Sequence, residues 1–171
     1  MTTAGMEVTA APWADGVPRY FAIEDPLDPA KVSYWYRPTG GRHAGAFTPW
    51  PLRRNTWGAL YRKDVPLGAD ARTYAVEHFA RVARARQDAE REIDRDPVAA
   101  AQRFARLAIR CCCCGKALTD DRSKVYGIGP ECRRGAAPAF LALLVEQVKV
   151  AYGGTASTSD RLGSTPRAGS R

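Results

Sequence analysis

No run of this 171-residue chain is long and apolar enough to cross a bilayer. The best candidate, "FLALLVEQVKV", is interrupted by Glu146, Gln147 and Lys149. The opening "MTTAGMEVTAAPWADG" lacks a basic patch followed by an apolar stretch, so it does not read as a secretory signal. Histidine is almost missing, with only His43 and His78. That scarcity bears on catalysis. No Ser-His-Asp set, phosphate loop or glycosidase-like carboxylate pair stands out. A metal-dependent nuclease needs a histidine base beside its metal, and "LTDDRS" offers aspartates without one. The chain is therefore expected not to be an enzyme. No internal repeat is visible either.

What is there reads as an ordinary soluble protein. Hydrophobic residues make up 45% and charged residues 26%, enough for one domain or two small modules sharing a core. With no membrane span and no secretory signal, the chain is expected in a reducing cytoplasm. There, clustered cysteines read as metal ligands or catalytic thiols before disulfides. The net charge of +8 is uneven. Residues 1–50 hold four Lys/Arg against five Asp/Glu, residues 51–110 thirteen against eight, and residues 111–171 nine against five. The basic two-thirds would draw a polyanion, nucleic acid first, although solubility alone can use such an excess.

The expected fold class is α+β. Residues 1–17 read as a flexible arm. Residues 18–66 form a small β element: "RYFAIE" and "KVSYWYR" are dense in aromatic and β-branched residues, with "EDPLDP" as the turn between them. In the second run Val32, Tyr34 and Tyr36 share one face, and Ser33, Trp35 and Arg37 the other. "AFTPWPL" and "WGALYRK" complete an antiparallel sheet of three or four strands. Residues 70–110 are helical. Asp70 caps a first helix with an apolar stripe of Ala75, Phe79, Val82, Ala89 and Ile93; Asp96 and Pro97 start a second that buries Phe104, Leu107 and Ala108. Residues 111–135 are a cysteine module, and residues 136–152 a bracing helix with Phe140, Leu141, Leu144, Val145, Val148 and Tyr152 on its apolar face. Residues 153–171 read as a disordered tail.

Four of the five cysteines stand in one row, Cys111 to Cys114, and the fifth is Cys132. Cys111 and Cys114 form C-x-x-C followed by Gly115. Ligands at i and i+3 suit a tight knuckle whose amides face the sulfurs, and the glycine lets the chain turn away. Seventeen residues separate Cys114 from Cys132, inside the spacing of a two-knuckle zinc module. Pro130 is placed to start a helical turn that aims Cys132 back at the pair. Arg110, Lys116, Arg133 and Arg134 would stabilise bound thiolates. The expected cofactor is a single structural Zn2+. Its fourth ligand is not in the usual place, because Gly135 stands three residues after Cys132. The substitutes are Cys112 or Cys113, Asp120 or Asp121, His43 or His78, or a water. Cys112 is taken as the local candidate, since sulfurs at i, i+1 and i+3 converge where the backbone bends sharply. The competing readings are a metal-free thiol cluster and a thioredoxin-like redox pair, the latter without a βαβ pattern around it.

"CCCCGKALTDDRSKVYGIGPEC" resembles a small zinc-finger-like family of unknown function in actinobacteria and their bacteriophages. Its signature reads C-x-x-C-G-(R/K)-x-L-T-D-x-x-S, a short spacer, then G-I-G-P-x-C. Cys111, Cys114, Gly115, Lys116, Leu118, Thr119, Asp120, Ser123, Gly127, Ile128, Gly129, Pro130 and Cys132 fall on that pattern. Upstream, "YRPTGGRHAG" and "DPVAAAQRFARLAIR" look like the turn and pre-finger helix of longer phage and prophage members. His43 stands where those members often have Trp. The resemblance implies a zinc-binding module with three dependable cysteines, in an accessory protein of phage or prophage type, and no established activity.

Two partner classes follow. Trp13, Trp35, Trp50 and Trp57 all lie in the first third, among Tyr34, Tyr36 and several arginines. Aromatics interleaved with arginine could stack bases while cations hold phosphates, which makes Trp35, Arg37, Arg42, Arg53, Arg54, Arg133 and Arg134 the candidate nucleic-acid contacts. The plainer reading is that sheet aromatics form core. Likewise Arg81, Arg84, Arg91 and Arg95 alternate with Glu77, Asp88 and Glu92 at ion-pair spacing. The alternative partner is a protein, docked through the apolar face of the last helix.

Overall fold

Two strands supply the frame on which the rest of the chain is laid. β1 (Tyr20–Asp25) and β2 (Asp28–Tyr36) pair antiparallel across a tight turn. The turn is held by its own carboxylates: Asp25 Oδ1 accepts from the Leu27 amide at 2.8 Å and Asp28 Oδ1 from the Ala30 amide at 3.2 Å. β3 (Thr48–Pro49) adds to the far edge of β2, giving the order β1-β2-β3. This is a computed structural model, and it describes residues 17–153, with side chains as far as Val150. The expected arm before Val17, the expected tail after Gly153, Trp13 and the side chain of Tyr152 lie outside the described residues.

Among the described residues the sheet thus has three strands. "WGALYRK" forms a turn and then a 3-10 turn at Arg62–Asp64 instead of a strand. Local bonds take the backbone groups a ladder would need: Asp64 Oδ2 accepts from the Tyr61 amide at 2.9 Å, and Asn55 Oδ1 from the Trp57 amide at 2.9 Å.

Both faces of the β1–β2 ribbon are covered at the end away from its turn. Register places Tyr20 opposite Tyr36 and Ala22 opposite Tyr34 on one face, with Phe21 opposite Trp35 and Ile23 opposite Ser33 on the other. On the first face Phe104 meets Tyr20, Tyr34 and Trp50, with ring centroids at 5.2, 6.0 and 5.3 Å. On the second, Trp35 meets Trp57 edge-on at 4.9 Å and Phe21 meets Phe47 at 5.4 Å. Such aromatic pairs add about 0.5–1.5 kcal/mol each beyond the area they bury. Trp35 is fully buried, and its indole N–H donates to Ser33 Oγ at 3.0 Å. That corrects its placement as a base-stacking surface: the ring is core, and its one polar atom is already satisfied.

The helices begin where local chemistry dictates. α1 (Ala71–Arg95) is capped by Asp70, whose carboxylate accepts from the Thr73 amide at 2.7 Å. α2 (Pro97–Ala108) is capped by Asp96 through the Ala99 amide at 2.9 Å, with Pro97 in its first turn. The buried stripe of α1 is Ala85, Ala89 and Ile93, whereas Phe79 is 54% exposed. The expected stripe started too early because only the second half of α1 lies against the ribbon's core. The first half meets the loop around Gly58, where His78 Nε2 lies 3.1 Å from the Gly58 carbonyl. In α2, Phe104 is buried as expected, but Leu107 is 52% exposed. α3 (Asp121–Tyr126) and α4 (Pro130–Gly135) follow the cysteine row. α5 (Pro138–Gly153) packs on α2 and α3 through buried Phe140 and Leu144, and Gln102 Nε2 donates to the Leu144 carbonyl at 3.3 Å. Among the described residues no helix is long and apolar enough to cross a membrane.

Phe104 joins the ribbon to the helices, so Phe104→Ala is expected to cost about 3–5 kcal/mol. Urea unfolding should show a lower midpoint at unchanged slope. A loss below about 1 kcal/mol would mean that the ring is not central to the core.

Candidate metal centre

The knuckle is built by a small hairpin at the end of α2. Ile109 closes that helix in the left-handed region at φ 53°, an unusual place for a β-branched residue. Its carbonyl accepts from the Leu118 amide at 3.0 Å, and Arg110 bridges Ala117 antiparallel. Inside that bridge the Cys111 amide donates to Lys116 O and the Gly115 amide to Cys111 O, both at 2.8 Å. Gly115 has φ +72° and lies beneath Tyr20, whose hydroxyl oxygen would stand 2.8 Å from a Cβ there. Both the turn and the close approach exclude a side chain.

Cys112 fixes the row to the rest of the fold. Its carbonyl accepts from the Arg19 and Tyr20 amides at 2.8 and 2.9 Å, and its own amide donates to Gly127 O at 3.0 Å. The return limb is equally local in origin. Asp120 caps α3 through the Ser123 amide at 2.8 Å, and Gly127 closes that helix in the left-handed region at φ 70°. Pro130 then opens α4 and carries Cys132 on its first turn, as the sequence suggested.

The outcome is a cluster of three thiols. The sulfurs of Cys111, Cys114 and Cys132 lie within 4.8 Å of one another. Four-coordinate zinc with bonds of about 2.3 Å would set its sulfurs about 3.8 Å apart, so closing the cluster asks for about 1 Å per pair at most. The Gly129 amide donates to Cys111 Sγ at 3.4 Å, the kind of backbone contact that favours a thiolate. Soft sulfur donors at this spacing can hold a metal ion.

The electrostatics sort the thiols. Cys111 is pulled down to about 4, first by hydrogen bonding from the Cys113 thiol and then by the amides of Gly129, Cys114 and Cys113, against the cost of its burial. Cys113 is pushed up because it is the donor in that exchange, to Cys111 and to Cys112. Cys132 is raised to about 12 by burial first and by the Cys114 and Cys111 sulfurs next. One thiolate, Cys111, is thus favoured while Cys113 and Cys132 stay protonated, so binding a metal at Cys132 would release its proton.

The other candidates separate clearly. Cys112 is fully buried in the hydrophobic core, and its sulfur lies 3.9 Å from that of Cys113 and outside the cluster. Its assignment as fourth ligand is corrected: the backbone bonds on both sides of Cys112 turn its side chain inward. Cys113, weighed and set aside in the sequence, lines one cleft with Cys114 and Cys132. Nothing in a uniform row of cysteines distinguishes 112 from 113; the tie to β1 does. Asp120 is spent on its cap and Asp121 pairs with Lys124 at 3.3 Å. His43 is exposed in the loop after β2, and His78 is bonded to Gly58.

Among the cationic candidates, Arg37 is committed. It lies 4.3 Å from the Phe47 ring centre, donates to Gly45 O at 3.1 Å and pairs with Asp94 at 3.6 Å, so it is corrected to a structural residue. Arg133 is half-buried, with its guanidinium 6.0 Å from the Tyr126 ring centre. Arg42, Arg53, Arg54 and Arg134 are exposed. Arg91 and Arg95 pair with Asp88 and Glu92 along α1, the solvated-face reading of that helix.

A family of unknown function (DUF6011) matches residues 101–136, which run from within α2 to the end of α4. The stretch with the finger-like signature falls inside that match. No curated protein and no solved structure matches the chain.

Titration with Co2+ tests the cluster. Cys111→Ser, Cys114→Ser and Cys132→Ser should each lose most metal binding, whereas Cys112→Ala should keep one equivalent and lose stability by about 1–2 kcal/mol. Unchanged metal content in the Cys132 variant would remove that residue from the site.

Proposed function

We propose that this chain is a zinc-binding accessory protein, of the phage or prophage type that the resemblance implies, which contacts nucleic acid. Its metal is structural. The observation that carries the metal reading is the convergence of three sulfurs from the two ends of one segment within 4.8 Å. Cys111, Cys114 and Cys132 would hold the ion, Cys113 is a further sulfur donor beside them, and the nearby Glu131 carboxylate is paired with Lys116. Zinc has no redox chemistry, and here it would supply cross-linking of the two limbs. The one ion pair that already joins them, Lys116 to Glu131 at 3.0 Å, is exposed on both sides and contributes little.

Nucleic acid is supported by charge that the fold leaves free. Segment 101–136 carries eight Lys/Arg against three Asp/Glu, and segment 51–64 carries four against one. Arg42, Arg53, Arg54 and Arg134 are exposed and make no ion pair among the described residues. A second reading, docking on a protein, draws on α5, where Leu143, Val145 and Val150 are 43%, 36% and 77% exposed. No catalytic step is assigned.

Two measurements test this reading. Chelation of the metal should open residues 111–135 first in hydrogen exchange, while β1, β2 and α1 keep their protection; uniform loss would make the metal global rather than local. Nucleic-acid affinity should fall steeply and linearly in log–log form with added salt, whereas docking through α5 should be nearly salt-independent.

A further inference from the structure

We infer that the cleft between the free edge of β2 and the 49–58 loop is a base-binding pocket for single-stranded nucleic acid. The inference rests on the nucleic-acid reading above and names where that contact is made. The cleft measures about 390 Å³, within the size range of ligand clefts. It exists because β3 is short. Pairing along the outer edge of β2 covers Trp35 and Tyr36, the Trp50 amide reaches Tyr34 O at 2.8 Å, and beyond that point no strand follows among the described residues.

The walls combine aromatic surface with a single free charge. Tyr34, Trp50 and Trp57 are half-buried and line the cleft, and the rings of Tyr34 and Trp50 lie 6.2 Å apart. The loop that carries Trp50 and Trp57 is held before any ligand arrives. Trp57 Nε1 donates to Asp25 Oδ2 at 2.9 Å, and Asn55 Nδ2 donates to Pro49 O at 3.2 Å. These bonds also decide the polarity of the site. Asp25 is used by Trp57 and Leu27, while Asp28 is used by Lys31 and Ala30. Of the charged side chains lining the cleft, that of Arg54 alone makes no ion pair or hydrogen bond among the described residues. Arg53 and Arg62, both exposed, stand on the same connection.

Aromatic walls with one uncommitted guanidinium, that of Arg54, suit a base and its phosphate. A duplex keeps its bases stacked and cannot present one to a cleft, so the ligand is single-stranded. The charge excess of the 51–64 connection favours this ligand over a peptide laid on the β2 edge.

The test uses the full zinc-loaded chain and labelled oligothymidylate of about ten nucleotides. Anisotropy should show the single strand binding at least about tenfold tighter than duplex, with quenching of tryptophan fluorescence. The Arg53→Ala/Arg54→Ala pair, exposed and outside the core, should reduce the salt slope by about 1.4. Trp50→Phe, which keeps the packing on Phe104, should weaken binding about fivefold or more without changing that slope. Arg133→Ala/Arg134→Ala should lose less than the Arg53/Arg54 pair. Binding that is lost only in the Arg133/Arg134 variant would leave the nucleic-acid reading standing and overturn this site. Equal affinity for duplex, or for thymidine monophosphate alone, would overturn it too. Absence of any nucleic-acid binding, or salt-insensitive capture of an extended peptide at the cleft, would overturn both.

Discussion

The structure turns on the backbone of one residue, Cys112. Its carbonyl takes both the Arg19 and the Tyr20 amides, and its amide reaches Gly127 O. Three segments far apart in sequence are thereby joined: the start of β1, the cysteine row and the return limb of the knuckle. A net gain of about 0.5–1.5 kcal/mol for each bond understates their effect, since a buried amide left without a partner costs about 1–3 kcal/mol. The row therefore lies against the main core rather than hanging from it. Cys111, Cys112, Cys113, Leu118 and Ile128 belong to the same apolar cluster as Phe104, Phe140 and Leu144. A free-standing finger depends on its metal for nearly all of its order. Here part of that order comes from hydrocarbon, and a metal would be needed chiefly at the solvent-facing tip, where Cys114 is exposed and Cys132 half-buried.

Features set by a few neighbouring residues were legible beforehand. Asp70, Asp96 with Pro97, and Pro130 each begin a helix because a cap or a fixed φ acts within one turn. The pairing of Trp35 with Ser33 and Arg37 on one face followed from the two-residue period of a strand. The cysteine cluster was legible for the same reason, since the C-x-x-C spacing and the glycine after it describe a local turn. What that period does not tell is which face is solvated. Over Tyr20–Ile23 and Ser33–Tyr36 neither is fully, because α2 covers one side and the Phe47 and Trp57 rings cover the other. Trp35 and Arg37 thus passed from candidate contacts to core and clamp. Phe79 failed for a similar reason: α1 is longer than the core it serves, and periodicity carries no mark of where contact stops. The choice between Cys112 and Cys113 depended on β1, about ninety residues upstream, which no local pattern encodes.

The arginines divide along the same line between structure and surplus. Arg37 and Arg86 lie over aromatic rings, and Arg91 and Arg95 pair on α1. Exposed pairs of this kind add little stability and also little field, because each cancels its own charge. Arg72, Arg84 and Arg106 on the helices make no ion pair among the described residues either, but the excess of cations over acidic groups lies in residues 51–64 and 101–136. These are the segments that set the long-range potential of the molecule, and they account for a charge of +8 that the core does not need.

The two basic regions then respond differently to metal. In the proposed centre three thiolates around a divalent cation carry one net negative charge, and a fourth thiolate makes it two. Without metal, Cys111 favours the thiolate, whereas Cys113 and Cys132 favour the neutral thiol. Filling the centre therefore leaves net negative charge beside Arg133 and Arg134, and more of it if Cys113 joins. The 51–64 connection has no such neighbour. A metal that stiffens the knuckle and leaves negative charge beside its arginines fits a supporting role for that end of the molecule, with the proposed recognition at the cleft beside β2.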